Sequence, residues 1–198
     1  MKTIKTLKKL LDKTFWYRNW KKVVLGATVI AVFGMVVLLF IGGQRDVGAQ
    51  EAGQQIVALA KNIRNRYKTR PDFWGLNTNE VIRKKIYPLS MNVVGNSLIG
   101  YFNNPVVVGA DADGSTVMPT SRSFVIAYKG LNKQQCIGLA SLKFDPDFWL
   151  GVSAMALQND ETSQKFDWGN KEFILPAKKD IVEKLCKGSN NNVVLHFE

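Results

Sequence analysis

Residues 50–68 read QEAGQQIVALAKNIRNRYK, and the pattern of this stretch decides the fold. Apolar side chains recur every three to four residues, which is the spacing of one face of an α-helix. That face carries Ala52, Ile56, Leu59, Ala60, Ile63 and Tyr67. The opposite positions are polar, namely Gln54, Lys61, Asn62, Asn65 and Arg66. The stretch therefore predicts an amphipathic helix that packs one side against a globular domain.

An apolar run lies upstream of this helix. Residues 23–41 contain no charged residue, and Gly42 and Gly43 extend the run. At about 1.5 Å per residue, a helix of this length spans a hydrocarbon core of roughly 30 Å. A cleaved signal peptide would have a shorter apolar region that ends in small residues before the cut. We predict a transmembrane helix over residues 23–43, followed by the amphipathic helix over residues 44–68, as parts of one long N-terminal helix.

The charge distribution predicts the orientation of this helix. The chain carries 27 Lys and Arg against 16 Asp and Glu, a net charge of +11. Residues 1–22 hold eight basic residues and one acid, a net of +7, whereas residues 44–198 hold the other 19 basic and 15 acidic residues. The positive-inside rule keeps residues 1–22 in the cytoplasm as a basic tail or leader. We expect a single-pass protein of the bacterial inner membrane, in contact with lipid, whose C-terminal domain is periplasmic.

Residues 69–198 predict a mixed α+β head domain, because Pro71 ends the helix and short helical and extended patterns follow it. Helical patterns cover residues 78–85, 132–143 and 177–187. Strand patterns cover residues 105–109, 123–129, 148–155, 173–175 and 192–197. The remainder of residues 72–103 reads as an irregular connection, and residues 158–171 read as polar turns.

Several classes of function are disfavoured by the composition. Two Cys and one His are too few for most zinc sites, which need about four ligands. Asp111 and Asp113 lie beside Gly114, but the rest of a calcium-loop spacing is missing, so an acidic turn is favoured. The excess of basic residues lies mainly before the membrane segment, so no nucleic-acid partner is expected. We expect no metal, no cofactor and no catalytic residues.

The two cysteines, Cys136 and Cys186, fall on predicted short helices of the exported part. An even number of cysteines in an oxidising compartment indicates a disulfide. Such a bond would close a loop of about 50 residues and stabilise the fold by roughly 3–4 kcal/mol. The alternative is a catalytic thiol that works with His196. It is disfavoured because His196 alternates with Leu195 and Phe197 in a strand and is expected to face solvent.

Several segments, in this order, resemble one family. Phe73-Trp74-Gly75-Leu76-Asn77-Thr78 and Asn103-Asn104-Pro105-Val106-Val107-Val108 are two of them. The others are residues 56–67, 87–91, 124–128, 136–140, 151–152 and 186–197. Together they resemble type IVb pilins, most closely those of the PilS type, over about residues 50–198.

This resemblance implies a type IV pilin-like fold, with a long N-terminal helix and an antiparallel-sheet head. It also implies a major or minor pilin of a type IV pilus or a conjugation-associated thin pilus. Other pilin or secretion-machine subunits would then be the partners, in a homo- or hetero-oligomer.

The N-terminus departs from the family pattern. Type IV pilins carry a leader that is cut after a Gly, with Glu at the fifth mature position. Here the only candidate site is Gly26–Ala27, a cut there would put Ala31 at the fifth position, and residues 1–50 contain no Glu. We therefore predict that this site is not cleaved, although a processed chain would be extracellular in the pilus. The alternative function is a single-span inner-membrane scaffold of a type IV secretion or conjugation machine.

Overall fold

The computed structural model describes residue 30 and residues 48–142 and 151–198. The predicted tail over residues 1–22, most of the predicted span over residues 23–43, and the Gly26–Ala27 site lie outside the described residues. The chain divides into two compact units, Met1–Gln44 and Arg45–Glu198. Within the described ranges, no helix combines the length and apolar character that crossing a membrane requires.

Residues 48–67 form helix α1, and its predicted buried face is confirmed. The apolar positions of this face are all 4% exposed or less: Ala52, Ile56, Leu59, Ala60, Ile63 and Tyr67. Gln54, Lys61, Asn65 and Arg66 are exposed, as the periodicity predicts. Removal of this apolar stripe from water is the main contribution of α1 to stability.

The head contains a seven-stranded antiparallel sheet, in agreement with the predicted α+β class. Its strands are β1 (Asn92–Val94), β2 (Ser97–Ile99), β3 (Pro105–Gly109), β4 (Phe124–Leu131), β5 (Val152–Gln158), β6 (Ser163–Asp167) and β7 (Asn191–Phe197). Their order across the sheet is β1-β2-β3-β4-β7-β5-β6. The last strand in the chain therefore lies between β4 and β5, near the middle of the sheet.

Alternate residues of β4 and β7 face the main core. Phe124, Ile126 and Tyr128 of β4 belong to the same buried cluster as the apolar face of α1. The Phe124 ring stacks on Phe197 of β7, with their centroids 5.2 Å apart, and contacts the edge of Phe73 at 4.7 Å. The opposite sheet face has a second, smaller cluster, formed by Val125, Ala127, Ala156 and Val194.

Three shorter helices complete the head: α2 (Thr78–Arg83), α3 (Lys133–Ala140) and α4 (Lys179–Leu185). Asn77 caps α2 by accepting a hydrogen bond from the Glu80 backbone N–H. Asn132 and Gln135 form a reciprocal capping box at the start of α3. These caps satisfy N–H groups that have no partner within the helix, which explains why both helices begin where the sequence predicts.

Two segments without a predicted strand contain strands. Residues 72–103, interpreted as an irregular connection, contain the β1–β2 hairpin around Gly95. Residues 158–171, interpreted as polar turns, contain β6. In β6 only Phe166 is buried, so the strand has one apolar side chain and no visible alternation. The strand predicted over residues 173–175 is reduced to a single bridge between Asp167 and Ile174.

A buried amide joins α1 to the sheet. Gln55 is 3% exposed although it lies in the apolar interface. Its Oε1 accepts hydrogen bonds from the Tyr101 backbone N–H and the Tyr128 hydroxyl, both at 2.8 Å, and its Nε2 donates to the Ser90 carbonyl. Burial raises the pKa of Tyr128 to about 12, so this hydroxyl remains a donor at neutral pH. Gly100 allows the approach, because a Cβ there would overlap the Tyr128 ring.

We expect Gln55→Ala to lower the free energy of unfolding by about 2–3 kcal/mol, because it removes three hydrogen bonds and leaves buried polar groups without partners. Denaturant unfolding of the full chain in neutral detergent micelles measures the change. The control is Gln54→Ala on the exposed side of the same helix turn, which should change stability by less than about 0.5 kcal/mol. Equal effects of the two substitutions would contradict the structural role of Gln55.

Candidate interaction surfaces

A disulfide links two of the short helices. Cys136 in α3 and Cys186 directly after α4 are bonded, with their Cα atoms 5.9 Å apart and a sequence separation of 50. Both residues are 1% exposed. The bond encloses the segment that supplies β5, β6 and α4, so this segment is held at both ends. Because both sulfurs are used, the described residues contain no free thiol for the catalytic alternative.

The disulfide-bounded segment presents exposed apolar side chains, which we call the segment patch: Trp168 and Ile174. They are 47% and 39% exposed. The Trp168 indole N–H donates to the Val152 carbonyl at 2.8 Å, which fixes the ring against β5. An exposed indole held in one position can bury a large area on contact with a partner at low entropic cost.

A second exposed apolar surface comes from the connection between α1 and β4. Backbone hydrogen bonds join residues 73–76 to residues 117–121: Phe73 N–H to Ser121 O at 3.0 Å, Gly75 N–H to Val117 O and Val117 N–H to Leu76 O, both at 2.9 Å. This pairing brings Trp74 and Met118 onto neighbouring segments, where they are 58% and 69% exposed. We call these two residues the connection patch. Exposed apolar patches of this kind are typical of protein–protein contact surfaces.

Asp72 holds the connection in this shape. Its Oδ1 accepts the Trp74 backbone N–H at 3.2 Å, and its Oδ2 accepts the Thr120 backbone N–H at 3.0 Å. One carboxylate therefore connects two chain segments 48 residues apart. This connection was not predicted from the sequence, because neither segment has a strand pattern.

Arg64 links the end of α1 to the end of β7. Its Nη2 donates to the Glu198 main-chain oxygen at 2.8 Å, and its guanidinium lies 5.6 Å from the centre of the Phe197 ring. Burial lowers the pKa of Arg64. Gly151 lies so close to this guanidinium that a Cβ there would collide with it.

The acidic turn at Asp111 and Asp113, and His196, are the remaining candidate sites that the sequence offered. Asp111 Oδ1 accepts the backbone N–H groups of Asp113 and Ser115, and hydrogen bonds from Ser115 lower the pKa of Asp111. Among the described residues, no group of three or more His, Cys, Asp or Glu side chains could hold a metal ion. His196 is half-buried rather than solvent-facing as predicted, and burial together with the nearby Lys165 charge lowers its pKa.

Comparisons with known proteins find one family model and several solved structures. The family model described as bundlin matches residues 46–166. The crystal structure of TcpA, a type IV pilin from Vibrio cholerae El Tor biotype, is 12% identical, covers 77% of this chain and 99% of its own, and has a TM-score of 0.51. A crystal structure of a type IVb pilin from Salmonella typhi is 16% identical, covers 77% of this chain and 97% of its own, and has a TM-score of 0.47. No curated protein sequence matches the chain.

We expect peptide maps of the oxidised and reduced protein to differ by one linked pair, Cys136–Cys186. Replacement of both cysteines by Ser should lower the free energy of unfolding by about 3–4 kcal/mol, because the unfolded chain regains the entropy of an open loop. Labelling of both thiols by a maleimide in the unreduced protein would contradict this pairing.

Proposed function

This chain belongs to the bundlin family of type IVb pilins, and we propose that it enters its pilus from a membrane-anchored stage with the head outside the cytoplasm. As a member of this family, the chain is a pilin-like structural subunit of a pilus and not an enzyme. The observation that carries the pilus role is the family match over residues 46–166, which covers α1 and the head as far as β6.

The two apolar patches support assembly through the head. A filament is built from heterologous contacts, in which one surface of a subunit meets a different surface of the next. The connection patch and the segment patch lie on separate parts of the chain, and each presents an exposed Trp. We propose that these patches face neighbouring subunits, with Trp74 and Trp168 as the main apolar contacts.

The sequence before the head supports the membrane-anchored stage. Residues 23–41 are uncharged, and the basic residues of positions 1–22 precede them. Such a segment would hold the subunit in the inner membrane, with lipid around the helix, until it joins a filament. The filament would be a type IV pilus or a conjugation-associated thin pilus.

A second candidate keeps the same head in a different role. A single-span scaffold of a secretion or conjugation machine would retain its membrane segment permanently and bind other components through the head. The specific observation in its favour is the absence of Glu from residues 1–50, together with a basic segment before the apolar run.

Filament isolation separates the two roles. We expect the chain to be the repeating subunit of filaments sheared from the cell surface, detected by mass spectrometry and by labelling with an antibody against the head. Trp74→Asp should lower the amount of filament at least about tenfold, because a contact residue of this type contributes 2 kcal/mol or more. Val94→Asp is the matched control, since Val94 is 66% exposed on β1 outside both patches. Recovery of the chain only in the membrane fraction would favour the scaffold.

Intact-mass measurement of the membrane-extracted protein tests the processing of the N-terminus. At the membrane-anchored stage, we expect the chain to keep residue 1 or 2. A cut after Gly26 would leave only residues 27–43 in lipid, which is at the short limit for a span, and would discard the +7 segment. An N-terminus at Ala27 would contradict the prediction and favour a conventionally processed filament subunit.

A further inference from the structure

A basic basin of about 550 Å³ lies at the C-terminal end of α1. Four cationic side chains, two aromatic rings, a proline and one carboxylate line it: Arg64, Lys68, Arg70, Arg122, Tyr67, Phe73, Pro71 and Asp72. A cavity of this volume is in the range that holds small-molecule ligands. All these residues belong to the compact unit Arg45–Glu198.

Two distant stretches of the chain supply the cations of the basin. Lys68 and Arg70 follow α1 directly, whereas Arg122 lies just before β4. The hydrogen bonds from Thr120 N–H to Asp72 and from Phe73 N–H to Ser121 O bring Arg122 to the other two. Favourable interaction with the helix dipole explains cations just after a helix. It does not explain Arg122, which comes from another part of the chain.

The positive charge of the basin exceeds the negative charge of its one lining acid. Lys68, Arg70 and Arg122 are exposed, and none forms an ion pair with a residue in the described parts of the chain. Asp72 lines the basin, but both of its carboxylate oxygens accept backbone N–H groups.

Four other cations of the head form ion pairs. Arg83 and Lys84 pair with Glu80, Lys129 pairs with Asp113 at 3.1 Å, and Lys187 pairs with Glu161 at 3.3 Å. The basin therefore combines concavity with three cations that form no ion pair with a described residue.

We propose that the basic basin binds a ligand that carries two or more phosphate groups. Two phosphates bring about three to four negative charges at neutral pH, which balances the net charge of four cations and one carboxylate in the lining. Two of these cations are Arg, whose planar forks match phosphate oxygens in bidentate geometry. A single phosphate would fill only a small part of the basin and leave at least one cation without a partner. This site lies beyond the role of the head in filament contacts.

The aromatic residues of the basin favour a compact oligophosphate over a single-stranded nucleic acid. Binding of single strands depends on ring faces that are free to stack on bases. The Tyr67 ring is 4% exposed and the Arg70 guanidinium covers it at 5.3 Å, while Phe73 packs against Phe124 and Tyr67. Both rings therefore lie beneath the cations as the apolar base of the basin, and neither has a face free to stack on a nucleobase.

Calorimetric titration of inorganic tripolyphosphate into the full chain, held in neutral detergent micelles, tests the proposal. We expect the double variant Arg70→Gln/Arg122→Gln to bind at least about tenfold more weakly than the unchanged chain. The matched control is Lys171→Gln/Lys178→Gln, which removes the same charge from exposed positions outside the basin and should stay within about twofold. The basic residues of positions 1–22 are present in every variant, so their contribution cancels. An equal loss of tripolyphosphate affinity in both double variants, or no loss in either, would overturn the proposed site.

The single variant Arg122→Glu separates a loss of binding from a loss of stability, because Arg122 makes no ion pair with a described residue and its replacement should leave the fold intact. It should weaken tripolyphosphate binding while the denaturation midpoint stays unchanged, and unaltered binding would overturn the proposal. Inorganic monophosphate that binds as tightly as tripolyphosphate, or an oligonucleotide that binds more tightly through the same residues, would also overturn it.

The source of the phosphates is decided by a second titration. Micelles doped with cardiolipin, a lipid with two phosphates, are compared with tripolyphosphate in the unchanged chain and in the Arg70→Gln/Arg122→Gln variant. Basin-dependent binding of cardiolipin in addition to tripolyphosphate supports a lipid headgroup, and basin-dependent binding of tripolyphosphate alone supports a soluble oligophosphate. Basin dependence for neither ligand overturns the proposal.

Discussion

The hydrogen bonds of Gln55 are the constraint on which the arrangement of the head depends. An apolar helix face can slide on an apolar sheet with little change in buried area, because hydrophobic contact has no direction. A buried amide with fixed partners removes this freedom. If α1 moved by one turn, the Tyr101 N–H and the Tyr128 hydroxyl would be buried without Gln55 as acceptor. The position of α1 on the sheet in turn determines where Arg64 meets Phe197 and where Lys68 and Arg70 emerge.

Much of this fold was visible in the sequence, because it depends on local signals. The 3.6-residue period marked the buried face of α1, and Asn77 and Asn132 marked the starts of two helices. The strands that were missed have no such signal. β1 and β2 are three residues long, and their pairing depends on the turn and on β3, so it is decided by tertiary contacts. The burial of Gln55 has no local signal either, since nothing along the chain shows that its three partners converge on it.

The interaction surfaces were less predictable than the fold for the same reason. The basic residues after α1 stand out in the sequence, but Arg122 joins them only through backbone pairing between residues 73–76 and 117–121. That pairing depends on the Asp72 carboxylate and on turns that have no repeating pattern. Trp74 and Met118 became a patch through the same pairing. The type of each residue is known from the sequence, whereas the contact between two irregular segments is known only from the complete fold.

The central position of β7 has a consequence for the order in which the head folds. Before residues 191–197 are in place, β4 ends one part of the sheet and β5 begins the other, and each presents a row of unpaired N–H and C=O groups. Asn191 pairs with Leu131, 60 residues earlier, so closure requires a long intervening loop to be organised first. A head in which β7 has not yet paired therefore has two unpaired sheet edges rather than one. Such edges recruit other strands, so the head is most prone to aggregation until β7 inserts.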